Sequence, residues 1–117
     1  MTPATADVLA RHMSEEQLLT VVLQMARALR LCTAHFRPAR TEQGWRTAVS
    51  GDGKGFPDLV IVGRRVLYRE LKRMGEHPTA AQMGWLTRLE DAGQDVELWR
   101  PADLRSGRIE RELREVA

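Results

Sequence analysis

Four consecutive apolar residues, Leu59-Val60-Ile61-Val62, lead into Gly63-Arg64-Arg65 and then Val66-Leu67-Tyr68-Arg69-Glu70-Leu71-Lys72. No other stretch restricts the fold as much. An uninterrupted apolar run this short reads as a strand buried on both faces. The Gly-Arg-Arg step is a turn and the run after it a second strand, so the segment reads as a β-hairpin. Ahead of it, Ser14 and Gln17 have the spacing of a capping box, with Leu18, Val21, Val22, Met25, Ala26 and Leu29 at helical spacing as far as about Arg30. Behind it, Thr79 and Gln82 repeat that box before Trp85, Leu86 and Leu89, and Gly93 stops the helix.

Leu31 to Phe36 reads as a short strand, and residues 37–55 as a glycine-punctuated loop with a strand around Trp45 to Val49. Asp95 to Trp99 alternates as a half-buried strand ended by Pro101. Ile109, Leu113 and Val116 then recur at helical spacing, among arginines and glutamates that suggest a solvated helix. This divides the chain into an N-terminal arm or short extra helix (residues 1–13), a main domain (14–104) and a C-terminal helix (105–117). The order of elements predicts a small α/β sandwich with a mixed sheet.

Composition narrows the function classes. A chain of 117 residues supports one core, and 43% hydrophobic content with well-mixed charge excludes a disordered tail. The single Cys32 excludes an intramolecular disulfide framework and a multi-cysteine zinc site. It suits a reducing cytosol, where it reads as a small buried apolar group. No apolar stretch approaches a membrane span, and the opening Met1-Thr2-Pro3-Ala4-Thr5 lacks the layout of a secretory signal. A net charge of +2 permits a nucleic-acid partner without requiring one. Of the eighteen basic residues only Lys54 and Lys72 are lysine.

The hairpin carries the chemistry. If Val62 faces Val66 across a three-residue loop, Asp58 falls opposite Glu70, and Lys72 projects from the same face. A two-residue loop would pair Asp58 with Leu71 instead. Two adjacent carboxylates repel, so one must hold a proton or a cation must sit between them. Oxygen ligands with room for water favour Mg²⁺ or Mn²⁺. The nearby lysine could orient a water or offset charge on a phosphate.

Pro57-Asp58, then Glu70-Leu71-Lys72 after an eleven-residue gap, resembles the signature of the PD-(D/E)XK nuclease superfamily. Gly55-Phe56-Pro57-Asp58-Leu59, Glu70-Leu71-Lys72, Gln82 with Trp85-Leu86, and Asp95 to Trp99 together resemble the VRR-NUC (virus-type replication-repair nuclease) family. The resemblance runs from about Ser14 to Leu104 and is to the compact stand-alone form of phages and bacteria. It implies a restriction-endonuclease-like α/β sandwich, a central mixed sheet flanked by helices, and a metal-dependent endonuclease that hydrolyses DNA phosphodiesters. By position, Asp58, Glu70 and the Leu71 carbonyl would hold the metal, Lys72 would position the water and stabilise the phosphate, and Gln82 would help hold the site. The family's first-helix glutamate falls on Glu15 or Glu16. Counting back from Val22 favours Glu15, as both a catalytic residue and a metal ligand. The glycine at which that helix ends in the family is here Arg30 or Leu31.

Ordinary structural roles compete for several of these residues. Gln82 could simply cap its helix, and acids at a helix start are favoured by the dipole. Lys54, Arg64, Arg65 and Arg73 would surround the site and grip phosphates, with Arg40 and Arg46 beside Trp45 in the loop. Arg69 points to the opposite face. No pattern of base-edge readout is present, so the expected target is DNA shape (junction, flap or fork). Cutting paired strands needs two active sites and hence a homodimer, and the resemblance to the stand-alone family members implies a Holliday-junction-resolving activity. A restriction-type or damage-specific nuclease, or a non-catalytic DNA-binding protein, are the other readings.

Overall fold

The computed structural model describes residues 2–36, 39–42, 44–46 and 50–117. The side chains of Arg40, Trp45 and Arg46, and residues 47–49 of the strand anticipated around Trp45 to Val49, lie outside the described residues.

The N-terminal segment is a helix, α1 (Pro3–His12), with proline in its first turn and the Thr2 hydroxyl accepting from the Thr5 N–H at 3.2 Å. An Asp7–Arg105 ion pair at 3.2 Å links it to the C-terminal part of the chain. Helix α2 (Glu15–Ala28) starts with both capping-box bonds formed, Gln17 N–H to Ser14 Oγ at 3.0 Å and Ser14 N–H to Gln17 Oε1 at 2.9 Å. It ends where Leu31 N–H reaches the Ala26 carbonyl and Arg30 N–H reaches that of Arg27. This Schellman closure puts Arg30 at φ +59°. Arginine thus holds the left-handed position that glycine would occupy without strain.

After β1 (Cys32–His35), β2 (Ala39–Thr41) and β3 (Gly44–Arg46) form a separate two-stranded sheet. The hairpin follows as β4 (Leu59–Val62) and β5 (Val66–Leu71). Helix α3 (Ala80–Asp91) begins with the Thr79–Gln82 box formed and closes through a second Schellman motif, now with Gly93 at φ +79°. Strand β6 (Asp95–Trp99) and helices α4 (Pro101–Arg105) and α5 (Arg108–Val116) complete the chain. The main sheet runs β1-β4-β5-β6, with β6 parallel to β5 and the other pairs antiparallel. The protein is a mixed α/β structure whose four-stranded sheet is flanked by helices. No helix among the described residues is long and apolar enough to cross a membrane.

The two sheet faces are covered unequally. Leu59, Ile61, Leu67, Leu71 and Trp99 join Leu18, Val22 and Ala26 of α2 and Ile109, Leu113 and Val116 of α5 in one buried cluster. On the other face α3 has no fully buried residue, and the cover is a chain of edge-on rings, Phe36–Phe56–Tyr68 with Trp85 against Phe56. Three expectations are therefore corrected. Strand β4 is not buried on both faces, because Val60 is half-buried and Val62 is 43% exposed. Cys32 is exposed, lying on strand β1 at the edge of the sheet opposite Val62. Helix α5 is solvated only on its outer side, since the other side closes the core.

Candidate active site

The hairpin adopts the three-residue connection. Val62 pairs with Val66 and the ladder continues to Leu59 and Arg69. One step further, Asp58 and Glu70 stand on the face away from the core, as the period-two alternation requires. The turn is fixed by Gly63 N–H to Arg65 O at 3.1 Å and by Arg64 N–H to Val116 O at 2.7 Å. A Cβ on Gly63 would overlap the Val116 carbonyl, so only glycine fits.

Asp58 is held from two sides. Its carbonyl accepts from Phe36 N–H at 3.0 Å, and its Oδ2 accepts from Leu71 N–H at 3.1 Å. The approach to it depends on Gly55 at φ +85°, where a Cβ would meet the Ala81 backbone at the start of α3. Gly55-Phe56-Pro57 therefore seats the acid against the same helix that carries Gln82.

Glu70 is fully buried. Gln82 Nε2 donates to its Oε1 at 3.0 Å, while the Gln82 Oε1 accepts from Thr79 N–H at 2.8 Å. Gln82 thus caps its helix with one end of its amide and holds Glu70 with the other. Glu70 Oε2 is buried and takes no hydrogen from an N–H or hydroxyl donor, while the Glu70 carboxyl lies within hydrogen-bonding reach of that of Asp58. Burial above all, then the Asp58 charge and a hydrogen bond with Asp58, push the Glu70 carboxyl up to about 9, against the opposing pull of Lys72. Lys72 itself is buried, with Nζ 4.0 Å from Glu76 Oε1.

The two first-turn glutamates of α2 are placed differently. Glu15 is half-buried and feels the charges of Lys72, Glu76 and Asp58, whereas Glu16 is exposed. Burial first raises the Glu15 carboxyl, Lys72 opposes this, and Glu76 and Asp58 add to it. Among the described residues no group of three or more His, Cys, Asp or Glu side chains is set to enclose a metal ion. Glu15 thus stands beside the Asp58–Glu70 pair without completing a three-acid cage.

The expected phosphate grips divide. Arg73 is next to Lys72 and largely exposed. Lys54 is exposed in the loop that leads to Pro57. Arg64 and Arg65 are not brought to the site. They occupy the turn at the far end of the hairpin, where Arg64 Nη2 donates to Glu115 O at 2.7 Å and Arg65 pairs with Asp95 at 3.3 Å. Arg69 does lie on the opposite face, as expected, and is only 1% exposed. Glu76 is the residue that sequence reasoning missed. Gly75, at φ +82°, turns the chain so that this acid returns over Lys72 and Arg73.

The donor set suits a small hard cation. Mg²⁺ keeps several waters and needs only one or two carboxylates. Asp58 with Glu70 meets that requirement, two carboxyls close enough that the Asp58 charge raises the proton affinity of Glu70. No protein-family model, no curated protein and no solved structure matches this chain.

Proposed function

We propose that this protein is a divalent-metal-dependent DNA endonuclease on a restriction-endonuclease-like sandwich, as the resemblance to the VRR-NUC family implies. The observation that carries the reading is the buried Glu70, apposed to the like-charged Asp58, with a buried lysine on the same face. A fold gains nothing from such an arrangement, because an uncompensated buried carboxyl only costs stability. Asp58, Glu70 and the Leu71 carbonyl would hold Mg²⁺ or Mn²⁺, which when bound neutralises phosphate charge and acidifies water. Lys72 places a positive charge where negative charge develops on the scissile phosphate. Gln82 fixes the rotamer of Glu70, and Glu15, beside Lys72, helps to orient that ammonium and the attacking water. Lys54 and Arg73 contact flanking phosphates, which position DNA without reading its sequence.

Branched DNA is the proposed substrate, with a four-way junction as the specific case, and a homodimer the proposed assembly, since cutting paired strands needs two sites. The test is cleavage of four-way, flap and linear duplex DNA in Mg²⁺ or Mn²⁺, wild type beside Asp58→Ala and Lys72→Ala. Each substitution is expected to lower the cleavage rate by on the order of 10³ while leaving the fold intact. Undiminished cutting by Asp58→Ala would overturn the assignment.

A further inference from the structure

Glu76 has no place in the hydrolytic scheme, yet it touches both cations at the mouth of the site. Its Oε1 is 4.0 Å from Lys72 Nζ and its Oε2 is 3.0 Å from Arg73 Nε. The turn that brings it there is a tight one, with Glu76 N–H directed at the Arg73 carbonyl at 3.3 Å and Gly75 in the left-handed region. A second bond steadies that turn, Arg100 Nη1 to the same Arg73 carbonyl at 2.7 Å. One carboxylate therefore presents an oxygen to each of two cations, which is how two oxygens of a phosphodiester would be gripped.

We propose that Glu76 is an internal substitute for the substrate phosphate, and that DNA must displace it to reach Lys72 and Arg73. This rests on the hydrolytic reading of Asp58, Glu70 and Lys72 and adds a determinant of substrate affinity to it. The displacement is feasible because Glu76 is partly exposed, with 38% of its side chain accessible, and because it hangs from a short turn instead of a helix or strand. Lys72, by contrast, is buried and fixed by the sheet, so the acid leaves and the lysine stays. The arrangement keeps a buried ammonium partnered before DNA arrives. It also weakens attachment to any phosphate that cannot outcompete a tethered carboxylate.

The test compares wild type, Glu76→Gln, Arg73→Gln and the double variant. Binding of a fluorescent four-way junction is followed by anisotropy in EDTA at two salt concentrations, and cleavage kinetics are followed in Mg²⁺. Glu76→Gln is expected to bind about fivefold more tightly, the scale of a partly exposed ion pair released to a ligand. Its KM should fall by a similar factor with kcat unchanged. Arg73→Gln should weaken binding, and the gain from Glu76→Gln should shrink in the Arg73→Gln background, because the two residues act through one contact. A lower kcat at unchanged KM in Glu76→Gln would make the acid part of the chemistry and overturn the proposal, as would unchanged binding. If no variant cut DNA while Glu76→Gln still bound more tightly, the nuclease reading would fail and the displacement would stand.

Discussion

Arg69 and Glu70 are consecutive, lie on the same strand, and are both buried, yet they face opposite sides of the sheet and are treated in opposite ways. Arg69 enters the core face and is compensated. Its Nη1 donates to the Tyr68 and Asp95 carbonyls, its Nη2 to Asp95 Oδ1 at 2.9 Å and Glu112 Oε1 at 2.8 Å, and its guanidinium lies 4.9 Å from the Trp99 ring centre. Glu112 in turn accepts from Trp99 Nε1 and from Arg108, so the network ties α5 to the sheet. Glu70 faces α3 and receives one amide hydrogen for two oxygens, beside another acid. A buried charge tied by four hydrogen bonds and two carboxylates, even with its Nε left without a partner, holds a structure together. A buried carboxyl with a single amide donor, set beside a like charge, adds no comparable tie, and it is the group to which the proposed metal site is assigned.

That contrast sets the sign of each substitution. Arg69→Met should cost about 3 kcal/mol in urea unfolding, because it strands Asp95 and Glu112 without their buried cation. Cleavage per folded molecule should change little. Equal stability of the variant would show that the network is decorative.

Glu70→Gln should do the reverse. Free of divalent metal at pH 8, the variant should be more stable than wild type by about 1 kcal/mol, since a neutral amide replaces a carboxyl that resists ionisation. Cleavage should be lost. The pH dependence follows from the raised Glu70 carboxyl. The folded state holds this proton up to about 9 while the unfolded chain releases it near 4.5, so wild-type stability should decline as pH rises through that window. Glu15, also raised, contributes in the same direction. The decline should be shallower in Glu70→Gln, and a steeper one would contradict the assignment. Metal binding must expel the same proton, so the apparent Mg²⁺ affinity of wild type, measured by titration calorimetry, should increase from pH 6 towards 9.

The smallest effect separates the two ends of Gln82. Gln82→Glu keeps an oxygen for the Thr79 N–H, so helix α3 should lose only a few tenths of a kcal/mol, whereas Gln82→Ala loses the side-chain half of the box and about 1 kcal/mol. Both lack the amide donor to Glu70 and should cut equally poorly. A fully active Gln82→Glu would reduce this residue to a helix cap.

Much of this was legible because it is local. Capping boxes, the hairpin turn and the alternation that sets Asp58 against Glu70 depend on residues close in sequence, and each took the form their spacing predicts. The misreadings concern what covers a surface. Nothing in Leu59-Val60-Ile61-Val62 tells that α2 and α5 would bury one face while α3 leaves Val62 exposed on the other. The same gap explains Cys32, whose strand lies at an edge, and Arg64 and Arg65, whose partners Glu115 and Asp95 are distant in sequence. Glu76 was hidden because its role depends on the backbone turn at Gly75 and not on a motif.

The clamp on the hairpin turn acts as a ruler. Whether residue 70 or residue 71 emerges beside Asp58 depends on the number of residues in the turn, and one fewer would exchange an acid for a leucine. That number is checked by Val116 and Glu115, which meet Gly63 and Arg64 through main-chain carbonyls and leave no room for a longer side chain at 63. The last turn of α5, at the opposite end of the hairpin from the acids, thereby fixes the parity on which their meeting depends.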